Sequence, residues 1–322
     1  MSSQPGLDLI TLGEGMVQFS ARTRGPLRQV RTYDVHAAGS ELNVAIGAAR
    51  LGLRVGWISR LGADDFGSLL LSAARAEGVE TSQVVQDATD PTGIFVVQRG
   101  YPIDGHSSSI YYRAGSAGSR LSVAELDVDY LRRTAIFHTT GISLAVSGEL
   151  AEAAAAAGSA AAEAGARRSF DVNYRAKLWS ADEARPDVEA ALANTDIAFC
   201  SLEDARALWG VNDADAALEL VASYGPDYTV VACGRDGAIM LGPDGATVRA
   251  AAVPTQVVDA TGAGDAFCAT VLTGIARDWP AELLLQRACL VGSIVCGIAG
   301  DNEGIPTLDV LERVATNSWV HR

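Results

Sequence analysis

The sequence predicts an α/β fold: a mostly parallel central sheet flanked by helices, with a small β-sheet lid. Three observations carry that prediction. Apolar runs alternate with helix-like segments, two stretches break the rhythm with strand-type alternation alone, and 322 residues at 48% apolar composition can bury a large core. No Pro/Ser-rich linker and no internal repeat divides the chain, so one domain over 1–322 is expected.

In chain order, "LDLITLG", "ELNVAIGAARLG", "RVGWISRLG" and "DDFGSLLLSAARAEG" alternate strand and helix; "TAIFHTTG", the alanine-rich Glu149 to Ala164, "RRSFDVNY" and "DIAFCS" continue the pattern. Residues 16–36 and 92–115 alternate with period two and no helix between, and are expected to pair as a small antiparallel sheet acting as a lid. Later, "YTVVACGRDGAIMLGPDGATVRA" reads as strand, turn, strand, with Asp236-Gly237 and Asp244-Gly245 as turns; the last long helices start near Gly264 and Pro280.

Composition excludes several functions. A net charge of −14 disfavours nucleic acid and anionic membrane as partners. Leu283 to Gly300 is interrupted by Gln286 and Arg287 and reads as a buried helix, and the N-terminus has no basic flank followed by an apolar run, so a cytoplasmic protein is expected. Five cysteines without a C-x-x-C pair argue against disulfides and zinc, and are expected to be reduced and buried. Lys177 is the only lysine, so arginine must supply most local positive charge.

The chemistry centres on "VVDATGAGDAF". Thr261, Gly262, Ala263 and Gly264 place small side chains where a strand ends and a helix begins, which would let backbone N–H groups meet a phosphate. Asp265 then sits in the helix's first turn, either as a helix-dipole acid or as a general base beside an anion hole; glycine spacing alone does not decide. A dinucleotide fingerprint is excluded by position, and a P-loop by Ala176 preceding the only lysine. His36, His106, His138 and His321 are scattered and read as structural or surface residues.

"VVDATGAGDAF" and "AAGSELNVAIGAARLG" (37–52) together resemble the C-terminal and N-terminal signatures of the ribokinase-like (PfkB) carbohydrate kinases, in the right order and more than 200 residues apart. The resemblance covers nearly the whole chain. It implies a Rossmann-like ribokinase fold with a lid over the sugar, a C-terminal nucleotide-binding part (about 200–322), and transfer of a phosphoryl group from ATP with Mg2+. "IYYRAGSAGS", "DVNYRAKLWS" and "GDNEGIP" are similar to segments of 2-keto-3-deoxygluconate kinases. By that match Gly39, Asn43, Tyr111, Arg113, Arg175 and Asp301 bind the sugar acid, with Asp265 as base and Gly262, Ala263 and Gly264 as the anion hole. Two arginines suit a carboxylate better than a neutral sugar. Tyr111 and Arg113 share a strand face, as do Asp171, Asn173 and Arg175 if the chain stays extended. Taken alone, Arg113 and Arg175 read as surface salt bridges, and Asp301 as a loop-ordering acid.

For ATP the match implies Asp171, Asn173, Ser201, Gly234, Arg235, Gly237, Thr261, Gly262 and Gly264. The family's magnesium-associated N-x-x-E stands here as Ser201-Leu202-Glu203-Asp204, leaving Asp204 or Glu203 to act indirectly on the metal. The expected reaction phosphorylates the terminal C6 hydroxyl of 2-keto-3-deoxygluconate. Rival readings are a ribokinase- or fructokinase-type enzyme, a silent sugar-acid sensor, and a ketoacid aldolase using Lys177, the last disfavoured because a loop offers that lysine no desolvating pocket. A lid with one uncovered apolar face predicts a homodimer.

Overall fold

Residues 6–103 and 107–315 are described by a computed structural model; His106, His321 and part of the expected lid turn lie outside them. The strands of the central sheet, clothed on both faces, feed apolar side chains into a core on either side. They are β1 (Leu7–Leu12), β4 (Val55–Gly62), β5 (Val84–Asp87), β8 (Thr134–Thr140), β9 (Arg167–Asp171), β10 (Ile197–Ser201), β11 (Tyr228–Ala232), β12 (Ala238–Leu241) and β13 (Thr247–Ala250). Their order is β13-β12-β11-β10-β9-β8-β1-β4-β5, parallel from β5 through β11 and antiparallel at β12 and β13. Val230 and Met240 enter the core on one face, Val231 and Ile239 the core on the other, as a period of two requires.

Helices α1 (Ser40–Arg50), α2 (Asp65–Ala76), α9 (Ala263–Ala276) and α10 (Ala281–Cys296) cover the first face. The second face carries α3 (Val128–Leu131), α5 (Gly148–Glu163), α6 (Ala181–Leu192), α7 (Leu202–Trp209) and α8 (Ala214–Ala222); the short α4 (Gly141–Val146) follows β8, and α11 (Leu308–Ala315) closes the described chain. The alanine-rich α5 buries Ala153, Ala157 and Ala161 at i, i+4 spacing, which brings it close to the sheet. Among the described residues no helix is long and apolar enough to cross a membrane. Cys200, Cys268 and Cys289 are buried free thiols, whereas Cys233 and Cys296 are only half-buried, contrary to expectation.

The second sheet comes from the two interrupting stretches: β2 (Met16–Ala21), β3 (Tyr33–Ala38), β6 (Gly93–Arg99) and β7 (Ser107–Tyr112), in the order β3-β2-β6-β7. It is mixed rather than antiparallel. Each stretch forms its own antiparallel pair, but β2 and β6 run parallel, because both leave the central sheet in the same direction after β1 and β5. A second departure lies before α9, where the apolar "VVDA" forms no strand. Val257 and Val258 are exposed, and the N–H groups of Val258 and Asp259 both donate to Cys296 O at the end of α10, so the ladder ends at β13.

Candidate active site

The N-terminal turns of α1 and α9 meet above the sheet because small residues let the helices close in. A Cβ on Gly47 would stand only 2.9 Å from Ala269 Cβ. One turn nearer the N-termini, Asn43 Nδ2 donates to Asp265 Oδ2 at 2.8 Å, and Ser40 Oγ donates to Asp265 Oδ1 at 2.6 Å. Asp265 is 8% exposed. Burial raises its pKa, opposed by those two hydrogen bonds, so it is a carboxylate fixed in direction and more basic than usual.

Beside it, Gly262 caps α9 at φ +76°, and a Cβ there would collide with Asp301 O at 1.7 Å, so only glycine fits. The first helical bond runs from Ala266 N–H to Gly262 O. Ala263 N–H turns back to Ala260 O; among the described residues the N–H groups of Gly264 and Asp265 meet no acceptor. These orphan donors stand at the helix N-terminus where an anion hole was expected, and the Ala263 N–H is turned away from it. Its side chain packs instead on the cluster of Leu51, Val291 and Ile305.

The network continues outward. Asn173 Nδ2 donates to Ser40 Oγ at 2.9 Å, Asn302 Nδ2 to Asn43 Oδ1 at 3.0 Å, and Gln18 Nε2, on β2 of the small sheet, to Asp301 Oδ1 at 2.8 Å. Asp301 is buried, and desolvation with the nearby Asp265 charge pushes its pKa up to about 7. Gly39, at φ +130°, lets α1 begin against the backbone at Glu14, where a Cβ would lie 2.5 Å from Glu14 O.

A cleft of about 1000 Å³ runs between the two sheets past the C-terminal ends of β9 and β10. Its walls include Gly39, Asn43, Asp265 and Asp301 from the core, Tyr111 and Arg113 from the small sheet, and Asp171, Asn173 and Arg175 after β9. Ser201, Glu203, Asp204, Thr261, Gly262 and Gly264 extend it towards the other end.

Several expectations need correction. Asn173 adopts φ +37°, so the chain is not extended there; Asp171, Asn173 and Arg175 reach one cleft through a left-handed step and a turn from Arg175 to Leu178. Arg113 is not a surface ion pair and is not free: its Nε and Nη2 both donate to Glu14 Oε2, Nε at 2.8 Å, and Ser116 Oγ donates to Glu14 Oε1. Both members of the pair are buried, and Arg113 borders the cleft. Ser201 spends its hydroxyl on Asp204 N–H at 2.9 Å as the N-cap of α7, which accounts for the departure from N-x-x-E as a capping box. Thr261 Oγ1 donates inward to Asp259. Gly234, Arg235 and Gly237 do not line the cleft. Gly237, at φ +98°, is needed because a Cβ would strike Ala250 O at 1.9 Å, a requirement of the β11–β12 turn.

Sequence reasoning missed Ser40, Gln18, Glu14 and Asn302. Ser40 was recoverable, because it lies three residues before Asn43 and shares its helix face. Lys177 is a different miss: its loop does face the cleft, with Nζ donating to Ser109 O at 2.6 Å and lying 6.0 Å from the centre of the Tyr111 ring. His138 is buried and held neutral, its pKa pushed down to about 3 by desolvation, in keeping with a structural role.

Two carboxylates could hold a divalent cation. Asp171 and Asp204 are half-buried and close enough to repel; desolvation raises both, and for Asp171 the charges of Asp204 and Asp265 add to it. Among the described residues no group of three acidic, histidine or cysteine side chains could hold a metal alone. Such a pair suits Mg2+, which keeps several waters and takes one or two carboxylates plus phosphate oxygens.

The model of the pfkB family of carbohydrate kinases matches residues 7–308. The chain is 37% identical to the 2-dehydro-3-deoxygluconokinase of Thermoproteus tenax over 94% of this chain and 92% of that protein, and 33% identical to the 2-dehydro-3-deoxygalactonokinase of Haloferax volcanii over 95% and 96%. A putative ribokinase II from E. coli, solved with ATP and Mg2+, superposes with a TM-score of 0.89 at 25% identity, covering 97% of this chain and 99% of that one. With paired signatures, ribokinase-type architecture and a family match over residues 7–308 in agreement, the chain belongs to the pfkB family of carbohydrate kinases.

Proposed function

We propose that this kinase transfers the γ-phosphoryl of ATP to the terminal C6 hydroxyl of 2-keto-3-deoxygluconate, giving the 6-phosphate and ADP. The observation that carries the reading is Asp265, aimed by Ser40 and Asn43 beside the unused N–H groups at the start of α9. As the hydroxyl oxygen attacks phosphorus and the bond to the ADP oxygen breaks, Asp265 takes the hydroxyl proton, and the Gly264 and Asp265 N–H groups face the charge spread over the phosphoryl oxygens. Raised basicity from burial favours that acceptance. Mg2+, when bound, supplies charge neutralisation to the polyphosphate, and Asp171 and Asp204 are the residues that would hold it through water. The C-terminal part, about 200–322, receives the nucleotide.

The small sheet acts as a lid, presenting Tyr111 and the fixed Arg113 to the sugar and excluding water. Support for a sugar acid rather than a neutral sugar comes from the cations Arg175 and Lys177 on the lid-facing wall of an acidic protein. The opposite lid face exposes Ile110 and Tyr112, the latter at 62%, and pairing of two lids into a homodimer would cover them.

Steady-state ADP release with 2-keto-3-deoxygluconate, its galactonate epimer, ribose and fructose tests the substrate; faster turnover of ribose or fructose would replace the reading with a neutral-sugar kinase. Asp265→Asn is expected to cut kcat by roughly two to four orders of magnitude while thermal stability holds or rises, since a buried charge is removed. Near-normal turnover in that variant would defeat the mechanism.

A further inference from the structure

The chain's only lysine stands where the free edge of the small sheet meets the core. Strand β7 is an edge strand, and Lys177, in the loop after β9, reaches across the cleft to Ser109 O on it. At the other end of that sheet the core already holds β2 and β3, through Gln18 to Asp301 and His36 to Glu303. An ammonium has three donors. One is used on Ser109, and the Tyr111 ring face lies beside the charge.

Most other cations near the cleft are occupied. Arg113 is committed to Glu14, while Arg175 lies within the field of Asp171, Asp204 and Asp265, partly opposing the rise that burial gives each. Lys177 has no carboxylate within 4.0 Å among the described residues, although the chain carries 39 acidic residues against 25 basic ones. A lysine oriented by a carbonyl and an aromatic ring, open to a ligand cleft and unmatched by an acid, is organised to receive an anion.

We propose that Lys177 is a specificity-determining residue whose ammonium, held by Ser109 O and the Tyr111 ring, binds the carboxylate of the sugar-acid acceptor together with Arg175. The assignment rests on the sugar-acid reading above and deepens it: the acid is recognised across the seam between core and lid. Binding the acceptor therefore bridges Lys177 and the β7 edge, and favours the closed lid.

The experiment compares 2-keto-3-deoxygluconate with its methyl ester, which keeps the reacting hydroxyl and lacks the charge. Lys177→Met should raise KM for the acid by about ten- to hundredfold, leave the KM for ester and for ATP within about twofold, and change kcat little; Lys177→Arg should restore part of the loss. Equal losses on acid and ester, or a loss confined to ATP, would overturn the assignment. An independent arm labels the wild-type protein with trinitrobenzenesulfonate and follows the peptide carrying residue 177 by mass spectrometry. Slower labelling with the sugar acid, but not with its ester, supports the proposal; equal protection by both, or by neither, refutes it. Wild-type turnover is measured first: its absence counts against the phosphotransfer reading, whereas the labelling arm still decides the role of Lys177.

Discussion

Gly47→Ala tests whether the base is aimed by helix packing. The new methyl would lie 2.9 Å from Ala269 Cβ and 3.2 Å from Ile305 Cδ1, against about 3.5–4.0 Å for ordinary carbon contacts. Ile305 can rotate; Ala269 cannot, so α1 and α9 must part by roughly 0.6–1 Å. Asn43 and Asp265 sit one turn away on the same helices, and their 2.8 Å hydrogen bond would open to about 3.5 Å, where it no longer holds. A displacement of that size at a reacting group is worth about a hundredfold in rate. Stability should change less, because overpacking costs about 1–3 kcal/mol and replacing a helical glycine returns about 1 kcal/mol. Coupled ADP-release kinetics and thermal unfolding measure the two effects separately. Adding Ala269→Gly removes the opposing methyl, and should restore most of kcat although it costs the helix about 1 kcal/mol. Wild-type kcat in Gly47→Ala, or no recovery in the double variant, would refute the packing argument.

Two further outcomes follow from buried charge. Glu14→Ala strands the Arg113 guanidinium inside the protein and should cost about 3–5 kcal/mol in urea unfolding, whereas replacement of the exposed pair Arg132–Asp129 should change little. Asp301, with a folded pKa of about 7 against an ordinary value of 3.8, binds more protons folded than unfolded between those limits, so its contribution makes stability fall as pH rises through that window. Asp301→Asn should flatten the decline of Tm between about pH 4 and 7; a curve parallel to wild type would show that Asp301 titrates normally.

The α/β alternation was legible because strands covered on both faces are rich in apolar residues, as "IAFCS" is and as "LDLITL" is apart from Asp8 and Thr11. "VVDA" has the same local character yet forms no strand; its backbone is claimed by Cys296 O, a partner the sequence does not announce. The site divides in the same way. Asn43 and Asp265 were marked by their signatures; Ser40 was missed, although its helical spacing from Asn43 could have found it. Arg113 was found, but its pairing was not: Glu14 lies 99 positions earlier, and nothing in "LGEGM" distinguishes a buried counter-ion from a turn acid. Asn173 looked like the middle of an extended run, and only the folded chain reveals its left-handed step. What escaped reading was pairing through space and single dihedral choices, both set by tertiary contacts rather than by composition.

The cleft's electrostatics connect these parts. Asp265 and Asp301 are buried, Asp171 and Asp204 half-buried, and desolvation raises the pKa of each. Such crowding lowers the stability of the ligand-free protein, since each carboxylate makes its neighbours harder to ionise. It also gives Asp265 the basicity a proton acceptor needs. Arg175 alone among the described cations acts on three of these acids, so its charge is shared and cannot be given wholly to an anionic acceptor. A cleft of this kind repels a lone polyanion and favours one that arrives with its own cation, which suits a metal-bound nucleotide at the Asp171–Asp204 end. At the opposite wall Arg113 is fixed by Glu14, and Lys177, drawn to the β7 edge, adds to the shared charge of Arg175 a cation that pairs with no carboxylate among the described residues.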